Sequence, residues 1–409
     1  MKTPSFLATP LFGRAIAPDR LSLFLFFLAS LADGALMPFF ALWAQHEANI
    51  PIGYIGLLLA CYAGGELVAT PLLGGIADRI GRRPVLLCST LGVGLGFVLL
   101  SHMHGVIAIA ACLLAIGVFE CALHPTVQTV IGDVVSEDQL RMRFASARIA
   151  SGVGHVVGPA LGAALALLSL NTVFVGCGVT LLLAALLVFC LMPETRPDHA
   201  RAAHDDEEDE EGLSALFPAF RDRRLATLLL WFLALEIVDG WSAAVIPLYA
   251  NGEHALSPSG VGLLFTYAAA VMAVLQWPVS KWSERMSSYP LVLGSGVALA
   301  GAFALLLLPP VPLTLYASVT LFALAQVLFG PLVPVTVNAL APPKARASYM
   351  AAVSTVNDLK DSAGPATGMF LYGLSASLPW MLGVPIALGA AAGLATTLRR
   401  HERGAQPTS

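Results

Sequence analysis

The sequence predicts an all-α membrane protein with twelve transmembrane helices in two pseudo-symmetric six-helix bundles. Three observations support this fold class: an apolar composition, a regular series of long apolar segments, and a repeat that relates the two halves. Of the 409 residues, 57% are hydrophobic and only 12% are charged, and the mean hydropathy is +0.78. Soluble domains carry about 25% charged residues, so this chain has more apolar surface than a water-soluble fold can bury.

Twelve apolar segments are long enough to cross a bilayer, since a transmembrane helix needs about 20 such residues. They fall near 21–44, 52–77, 84–103, 106–131, 142–167, 171–191, 225–250, 258–280, 289–308, 311–338, 347–373 and 377–398. The first segment follows Lys2, Arg14 and Arg20 but does not end in a small-residue cleavage site. We therefore expect it to be a retained helix and not a signal peptide.

One long polar segment separates the sixth apolar segment from the seventh. It contains an uninterrupted acidic run at 205–211, and such runs stay solvated. The predicted domains are an N-terminal six-helix bundle (1–191), a cytoplasmic acidic linker (192–223), and a C-terminal six-helix bundle with a short cytoplasmic tail (224–409).

The positive charges predict the orientation of the helices. Of the 22 lysines and arginines, all but Arg148 and Lys360 lie near the termini or in alternate loops. Because cytoplasmic loops are enriched in these residues, we expect both termini on the cytoplasmic side of the cell (inner or plasma) membrane. The alternation also requires an even number of spans.

A repeat with an offset of 206 residues relates the two halves. The matching pairs are Asp33-Gly34 with Asp239-Gly240, Asp78-Arg79 with Glu284-Arg285, and Gly158-Pro159 with Gly364-Pro365. Internal repeats of this kind are typical of secondary transporters. The repeat predicts two related bundles.

The loop after the second segment carries a recognisable motif. Its functional positions are Gly74, Asp78, Arg79, Gly81, Arg82 and Arg83. The loop resembles the cytoplasmic signature G-x-L-x-D-R-x-G-R-R of the major facilitator superfamily. That resemblance implies the twelve-helix fold of the family and a charge latch that favours one access state. A plain positively charged loop is the alternative.

The fifth segment resembles a second signature, G-x-x-x-G-P-x-x-G-G, of the exporter branch of this family. The matching residues are Gly154, Gly158, Pro159 and Gly162. The resemblance, closest to the twelve-span drug:proton antiporters, implies efflux, although small residues also serve generic helix packing. The arginine that usually begins the fourth span in this family is missing near Leu113, so any proton coupling must use other residues.

Eleven ionisable side chains fall inside the predicted spans: Asp33, Glu66, Glu120, His124, Arg148, His155, Glu236, Asp239, Asp358, Lys360 and Asp361. Each charge at the bilayer centre costs about 2.5–3.5 kcal/mol even on lenient scales, so these groups should face a cavity or one another. The carboxylates outnumber the fixed cations, and unpaired acids can take up a proton or a cationic substrate.

Five of these residues are the predicted proton-coupling and substrate-cavity set. Asp33 and Asp239 are equivalent in the repeat, with a helix-packing hydrogen bond as the alternative role. Glu236 lies three residues before Asp239, on the same helical face. Glu120 and His124 have the i, i+4 spacing of a proton-sharing pair, or of an ordinary buried hydrogen bond. No metal site is predicted, because the sequence places no third ligand beside them.

The remaining six residues are predicted to form a charge network. Arg148 either snorkels to the cytoplasm or replaces the missing fourth-span arginine. His155 is either a proton carrier or bonds a backbone carbonyl. The other members are Asp358, Lys360, Asp361 and Glu66, with Glu66 as the suggested partner of Lys360 in a gating or coupling ion-pair network.

These features together predict a proton-coupled secondary transporter that exports small organic molecules by alternating access. The alternatives are an uptake symporter or a lipid flippase of the same fold, and a non-transporting membrane sensor. An enzyme is not expected, since no nucleophile, metal cage or phosphate loop is present. The expected partners are a small-molecule substrate, protons and the lipid bilayer, with no nucleic acid and no cofactor, and we expect a monomer. Five aromatic residues could line a cavity: Phe39, Phe40, Trp43, Trp231 and Trp241.

Overall fold

The computed structural model describes residues 17–73, 76–196, 222–283, 285–330, 332–342 and 346–404. Within these residues all regular elements are helices, and no strand occurs. The acidic run at 205–211 and Gly74 of the loop motif lie outside the described residues.

The described residues of the first half form eight helices. They are α1 (Pro18–His46), α2 (Ile52–Leu73), α3 (Ile76–Ile80), α4 (Arg82–Leu100), α5 (Val106–Glu120), α6 (Leu123–Val134), α7 (Glu137–Ala166) and α8 (Leu170–Leu191). The second half contains α9 (Arg223–Gly252), α10 (Pro258–Ser283), α11 (Ser288–Leu306), α12 (Pro312–Phe329), α13 (Leu332–Leu340), α14 (Arg346–Leu374) and α15 (Leu378–Gly404).

Eleven helical segments of the described chain are long and apolar enough to cross a membrane. The predicted span that is not among them corresponds to α14, which is 29 residues long but carries Asp358, Lys360 and Asp361. Its length is sufficient for a bilayer, and its charges explain why it differs from the other eleven. The prediction of an all-α membrane fold is confirmed, and these helices are consistent with twelve spans.

Two of the predicted spans are broken helices. The fourth is interrupted between α5 and α6, because Pro125 has no N–H to donate to the carbonyl of Cys121. The tenth is interrupted between α12 and α13, where Pro334 likewise cannot bond the carbonyl of Gly330. Irregular backbone at membrane depth is tolerated where it is buried in protein or lines a cavity. The two breaks therefore require surroundings of protein or of a cavity.

The chain forms two compact units. Unit 1 comprises Met1–Ile50, Cys61–Asp209 and Pro258–Thr266, and unit 2 comprises Pro51–Ala60, Glu210–Ser257 and Tyr267–Ser409. In unit 1, α1 packs against α7 and α8; in unit 2, α9 packs against α14 and α15. The first turns of α2 thus belong to unit 2, and the first turns of α10 belong to unit 1. The domain boundaries at 191 and 224 stay a prediction.

Small residues bring the first and fifth spans of unit 1 into close contact. A Cβ added at Gly158 would lie against the backbone oxygen of Leu31 and 3.0 Å from the nitrogen of Ala35, and one added at Gly162 would strike Phe39. In unit 2, a Cβ added at Gly364 would lie 3.2 Å from the Cα of Gly240. The exporter-like glycines therefore position α1 against α7, as small-residue motifs do in membranes.

Four of the five aromatic residues expected at a cavity are buried in the two cores. Phe39, Phe40 and Trp43 are at most 1% exposed in unit 1, and Trp241 is buried in unit 2. Trp43 donates to Asn171 Oδ1 at 2.6 Å, and Trp241 donates to Thr367 Oγ1. Their indole N–H groups are satisfied inside the bundles, so these side chains stabilise the cores.

Candidate functional site

The first candidate site lies in unit 1, where three helices bring together Asp33, Glu120 and His124. His124 Nε2 lies 3.2 Å from Asp33 Oδ2. One ligand atom from each of the three side chains lies within 4.8 Å of the other two. The sequence placed Glu120 and His124 together but supplied no third group, and α1 brings Asp33 to them. We call these three residues the Asp33 cluster.

The break in the fourth span explains how the cluster forms. Glu120 ends α5 and His124 is in the first turn of α6, so the two side chains flank the turn instead of following one continuous helix. Tyr62 donates its hydroxyl hydrogen to Glu120 Oε2 at 2.6 Å. The His124 ring meets Phe26 edge-on, with 5.2 Å between ring centroids. Glu120 is only 5% exposed, so its carboxylate is held inward.

The second candidate site lies in unit 2, on α9, α12 and α14. Lys360 Nζ lies 2.8 Å from Glu236 Oε2 and 3.9 Å from Asp361 Oδ1. Gln326 donates its side-chain N–H to Asp239 Oδ2 at 2.6 Å. We call Glu236, Asp239, Gln326, Lys360 and Asp361 the Lys360 cluster.

Asp239 is the least compensated acid of the Lys360 cluster. It is 4% exposed, and its Oδ1 is buried with no hydrogen-bond partner among the described residues. Lys360 is already 2.8 Å from Glu236. An ionised carboxylate in such a place carries a desolvation penalty that one amide donor does not remove. Asp239 is therefore suited to accept a proton.

Lys360 has a partner that the sequence did not suggest. It pairs with Glu236, because α9 and α14 approach closely at Gly240 and Gly364, less than two turns away. Glu66 belongs to unit 1 and interacts electrostatically with Tyr62 and Glu120. Helical periodicity defined the faces of these residues but not the distances between helices.

Gln326 was not recognised from the sequence, although the 206-residue repeat reveals its significance. The repeat relates Asp33 to Asp239, Glu120 to Gln326, Ser30 to Glu236, Gly154 to Lys360, and His155 to Asp361. The contacts follow the same pattern: Lys360 meets Glu236, and a Cβ added at Gly154 would lie 2.9 Å from Ser30 Cβ. The two clusters occupy equivalent places in the two units.

Two predicted members of the charge network in unit 1 lie near the surface of that unit. Arg148 is exposed, and no ion pair of its side chain occurs among the described residues. His155 is also exposed, and its Nδ1 lies 3.0 Å from the backbone oxygen of Ser151. The histidine thus has the backbone partner that was one of its two predicted roles. Asp358, in unit 2, is half-buried on α14.

The residues of the loop motif form a compact group of ion pairs and hydrogen bonds inside unit 1. Arg82 Nη2 lies 2.8 Å from Asp78 Oδ1, and Arg82 Nε donates to Asp133 Oδ2 at 2.8 Å. Gly81, with φ at +115°, makes the turn that admits α4. Arg83 is fully buried and donates to the carbonyl of Phe189 at 2.6 Å. Asp78 therefore holds an arginine of its own loop.

Glu194 also belongs to this group of contacts, although its role was not predicted from the sequence. Its carboxylate accepts the backbone N–H of Arg82 at 2.8 Å and of Arg83 at 3.3 Å, so it caps α4 from the far end of the first half. Arg196 also donates to the carbonyl of Arg79 at 2.7 Å. The available signal was an acid after Pro193, at the end of a span, facing a loop that contains three arginines.

The sequence matches the family model described as Major Facilitator Superfamily over residues 22–249 and 237–409. The chain belongs to the major facilitator superfamily. It is therefore an integral membrane transporter and not an enzyme, as predicted. Its relatives support the efflux branch of the superfamily that the signature of the fifth segment indicated.

Several known members of the superfamily are similar to this chain. The class D tetracycline resistance protein of Salmonella ordonez is 26% identical over 71% of this chain and 73% of its own length. The class E tetracycline resistance protein of Escherichia coli is 28% identical over 63% of each chain. The solved structure of the nucleoside transporter NupG has a TM-score of 0.78 at 14% identity and covers 95% of this chain and 100% of that chain. This last likeness shows the major facilitator fold alone.

Proposed function

We propose that this major facilitator transporter exports small organic molecules in exchange for protons, by alternating access. The observation that supports proton exchange most directly is the buried Oδ1 of Asp239, which has no hydrogen-bond partner in the described chain. A proton on Asp239 removes the charge that burial penalises. The neighbouring Lys360 and Glu236 neutralise each other, so the charge of ionised Asp239 has no cation of its own.

The Asp33 cluster is the proposed substrate side of the transporter. It holds two carboxylates and one imidazole within a few ångströms, so it attracts positive charge. The tetracycline resistance proteins among the relatives favour drug-like organic compounds as substrates and export as the direction. The exporter-like glycines of α7, which pack on the helix that carries Asp33, agree with that direction.

We propose that the ion pairs of the loop motif and those of the Lys360 cluster control the conformation of the transporter. The contacts of Arg82 with Asp78 and Asp133 stabilise one arrangement of the cytoplasmic loop, and the ion pair of Lys360 with Glu236 stabilises one arrangement of α9 on α14. The charge distribution supports insertion in the inner or plasma membrane with both termini in the cytoplasm.

The test is substrate-dependent proton flux in liposomes with an imposed pH gradient. The compound panel includes tetracycline, lipophilic cations, zwitterions and organic anions. We expect counterflow of protons and one compound class for the natural chain, and flux near background for Asp239→Asn. Asp138→Asn, which changes an exposed aspartate at the start of α7, is the matched control and should behave like the natural chain.

Three results would count against the proposal. Flux of protons and compound in the same direction would identify an uptake symporter. No flux with any compound, from protein that is folded by size-exclusion chromatography, would favour the flippase or the sensor. Full proton exchange by Asp239→Asn would remove Asp239 from the mechanism.

A further inference from the structure

We propose that Lys281 and Arg285 bind the phosphate headgroup of an anionic phospholipid, at the end of unit 2 that the positive charges predict to be cytoplasmic. Both side chains are exposed, and neither forms an ion pair among the described residues. Lys281 is in the last turn of α10, and Arg285 follows two residues after that helix. The backbone N–H of Arg285 donates to the carbonyl of Trp282 at 3.3 Å, so Arg285 stays close to the helix end.

One face of α10 carries an apolar, an aromatic and a cationic side chain in order toward the end of the helix. Val274 is 72% exposed and Trp277 is 71% exposed. Lys281 follows one turn later, with its Nζ 5.1 Å from the centroid of the Trp277 ring. The spacing i, i+3 and i+7 keeps the three side chains on one face. A phospholipid has the same order of groups, from acyl chain to phosphate, and tryptophan favours the interface between them.

The equivalent end of unit 1 is neutralised by its own acids. There, Arg82 Nη2 and Nε lie 2.8 Å from carboxylate oxygens of Asp78 and Asp133, and Glu194 caps the start of α4. The repeat aligns these three acids with Glu284, Ala339 and Arg400. Two of the three counter-charges are therefore replaced in the sequence of unit 2, and its exposed cations are available to an anion from outside the chain.

A third cation extends this surface. Arg399, near the end of α15, is exposed, and its Cζ lies 5.0 Å from the centroid of the Tyr289 ring. Tyr289 is the second residue of α11, which is joined to α10 by the short loop 284–287. Arg399 is therefore held near the same helix ends. Contacts with aromatic rings stabilise both Arg399 and Lys281 beside the interface. We call Lys281, Arg285 and Arg399 the basic surface of unit 2.

The apolar surroundings favour a lipid over a soluble phosphate. Trp282, next to Lys281, is 55% exposed, and with Val274 and Trp277 it offers apolar surface that an acyl chain covers and a free phosphate does not. Basic residues beside a membrane span are attracted to anionic lipids, and each is worth about fivefold in binding. Lipid binding at the basic surface is independent of the proposed export and is measured without it.

The test is lipid titration of the full chain in non-ionic detergent, read by native mass spectrometry. The lipids are dioleoylphosphatidylglycerol, which is anionic, and dioleoylphosphatidylcholine, which is zwitterionic with the same acyl chains. We expect the natural chain to bind the anionic lipid more tightly. The double variant Lys281→Gln with Arg285→Gln should bind it about thirtyfold more weakly, because two contributions of about fivefold are lost. Its affinity for phosphatidylcholine should be unchanged.

The matched control is the double variant Arg223→Gln with Arg224→Gln. It removes two neighbouring exposed cations from the same unit, at the start of α9, and should retain the affinity of the natural chain for the anionic lipid. All variants change exposed side chains, so their melting temperatures should match that of the natural chain.

Four results would overturn the lipid site. Equal affinity of the natural chain for both lipids would remove the role of headgroup charge. Full affinity of the Lys281→Gln, Arg285→Gln variant would place the lipid elsewhere. An equal loss in the control variant would indicate a general attraction between charges. Displacement of the lipid by an equimolar amount of glycerol phosphate would identify a soluble phosphate as the ligand.

Discussion

The Asp33 cluster and the Lys360 cluster occupy equivalent places in the two units but have different charges. In unit 2, Glu236 has its own lysine at 2.8 Å and Asp239 has an amide donor. In unit 1, the positions equivalent to that ion pair are Ser30 and Gly154, and the position equivalent to the amide is Glu120.

This difference is the basis of the two roles that we propose for the clusters. The cationic charge that unit 2 supplies from Lys360 has no counterpart at Gly154 in unit 1, where the acids Asp33 and Glu120 are accompanied by His124. In unit 1 the acids are therefore accompanied by an imidazole and not by a lysine. In unit 2 Lys360 is the counter-charge of Glu236, and Asp239 has an amide donor.

Of the changes considered, loss of Lys360 should have the largest effect on stability and transport. Lys360→Met leaves Glu236, which is 6% exposed, as an uncompensated buried charge. We expect a loss of about 3–5 kcal/mol in the free energy of unfolding, read as a lowered melting temperature in detergent, and loss of coupled transport. Normal transport by Lys360→Met would contradict the proposed role of the ion pair.

The double change Lys360→Met with Glu236→Gln separates stability from function. It removes both charges, so most of the melting temperature should return. Transport should remain impaired if the ion pair acts in gating or coupling. Recovery of both properties would instead assign the pair to stability alone.

Exchanging the acid at 120 and the amide at 326 should change the stability of the two clusters in opposite directions. Gln326→Glu removes the donor to Asp239 and adds a like charge, so we expect a loss of about 1–3 kcal/mol at neutral pH. Glu120→Gln supplies Asp33 with a permanent donor and should be neutral or stabilising. Equal destabilisation of the two variants, by thermal unfolding, would show that the clusters are not chemically different.

The glycine contacts should respond in proportion to their closeness. Gly158→Ala places a Cβ against the backbone of Leu31 and Ala35, whereas Gly364→Ala meets Gly240 at 3.2 Å. We expect a cost of about 1–2 kcal/mol for Gly158→Ala and a smaller cost for Gly364→Ala, measured as the difference in melting temperature. A larger effect at Gly364 would mean that α9 and α14 are the more tightly constrained pair.

The smallest expected effects on stability concern two side-chain contacts at the start of α1 and α9. Arg143 lies 3.1 Å from Asp19, and Tyr349, at the equivalent position of the repeat, donates to Asp222 at 2.9 Å. Arg143→Met and Tyr349→Phe should each cost about 0.5–1 kcal/mol. High salt should reduce the stability cost of Arg143→Met alone, because only the contact of Arg143 with Asp19 is an ion pair. Equal salt dependence of the two melting temperatures would contradict this assignment.

Acid should weaken the contact between Tyr349 and Asp222. Burial acts to raise the pKa of Asp222, but hydrogen bonds from the backbone N–H of Arg224 and from Tyr349 outweigh it and hold the pKa below its ordinary value. A lowered pKa means that Asp222 stabilises the fold above its ordinary pKa and loses that contribution as the pH falls through the lowered value. The difference in melting temperature between the natural chain and Tyr349→Phe should therefore narrow in acid.

The sequence predicted the parts of the molecule that depend on local pattern. Apolar length defined the helices, and the repeat identified Asp33 and Asp239 as equivalent. Contacts between helices depend on rotation and packing, so the approach of Asp33 to Glu120 and the pairing of Lys360 with Glu236 were not predictable from periodicity. The break after Glu120 had a local signal in Pro125, and that signal also accounts for the position of His124.

The amide at 326 and the acid at 120 have a consequence for the history of the two halves. Glutamate and glutamine codons differ only in their first base, so a single mutation converts either site to the type of the other. A duplicated ancestor with identical halves could thus become asymmetric without passing through a disrupted helix or a new contact.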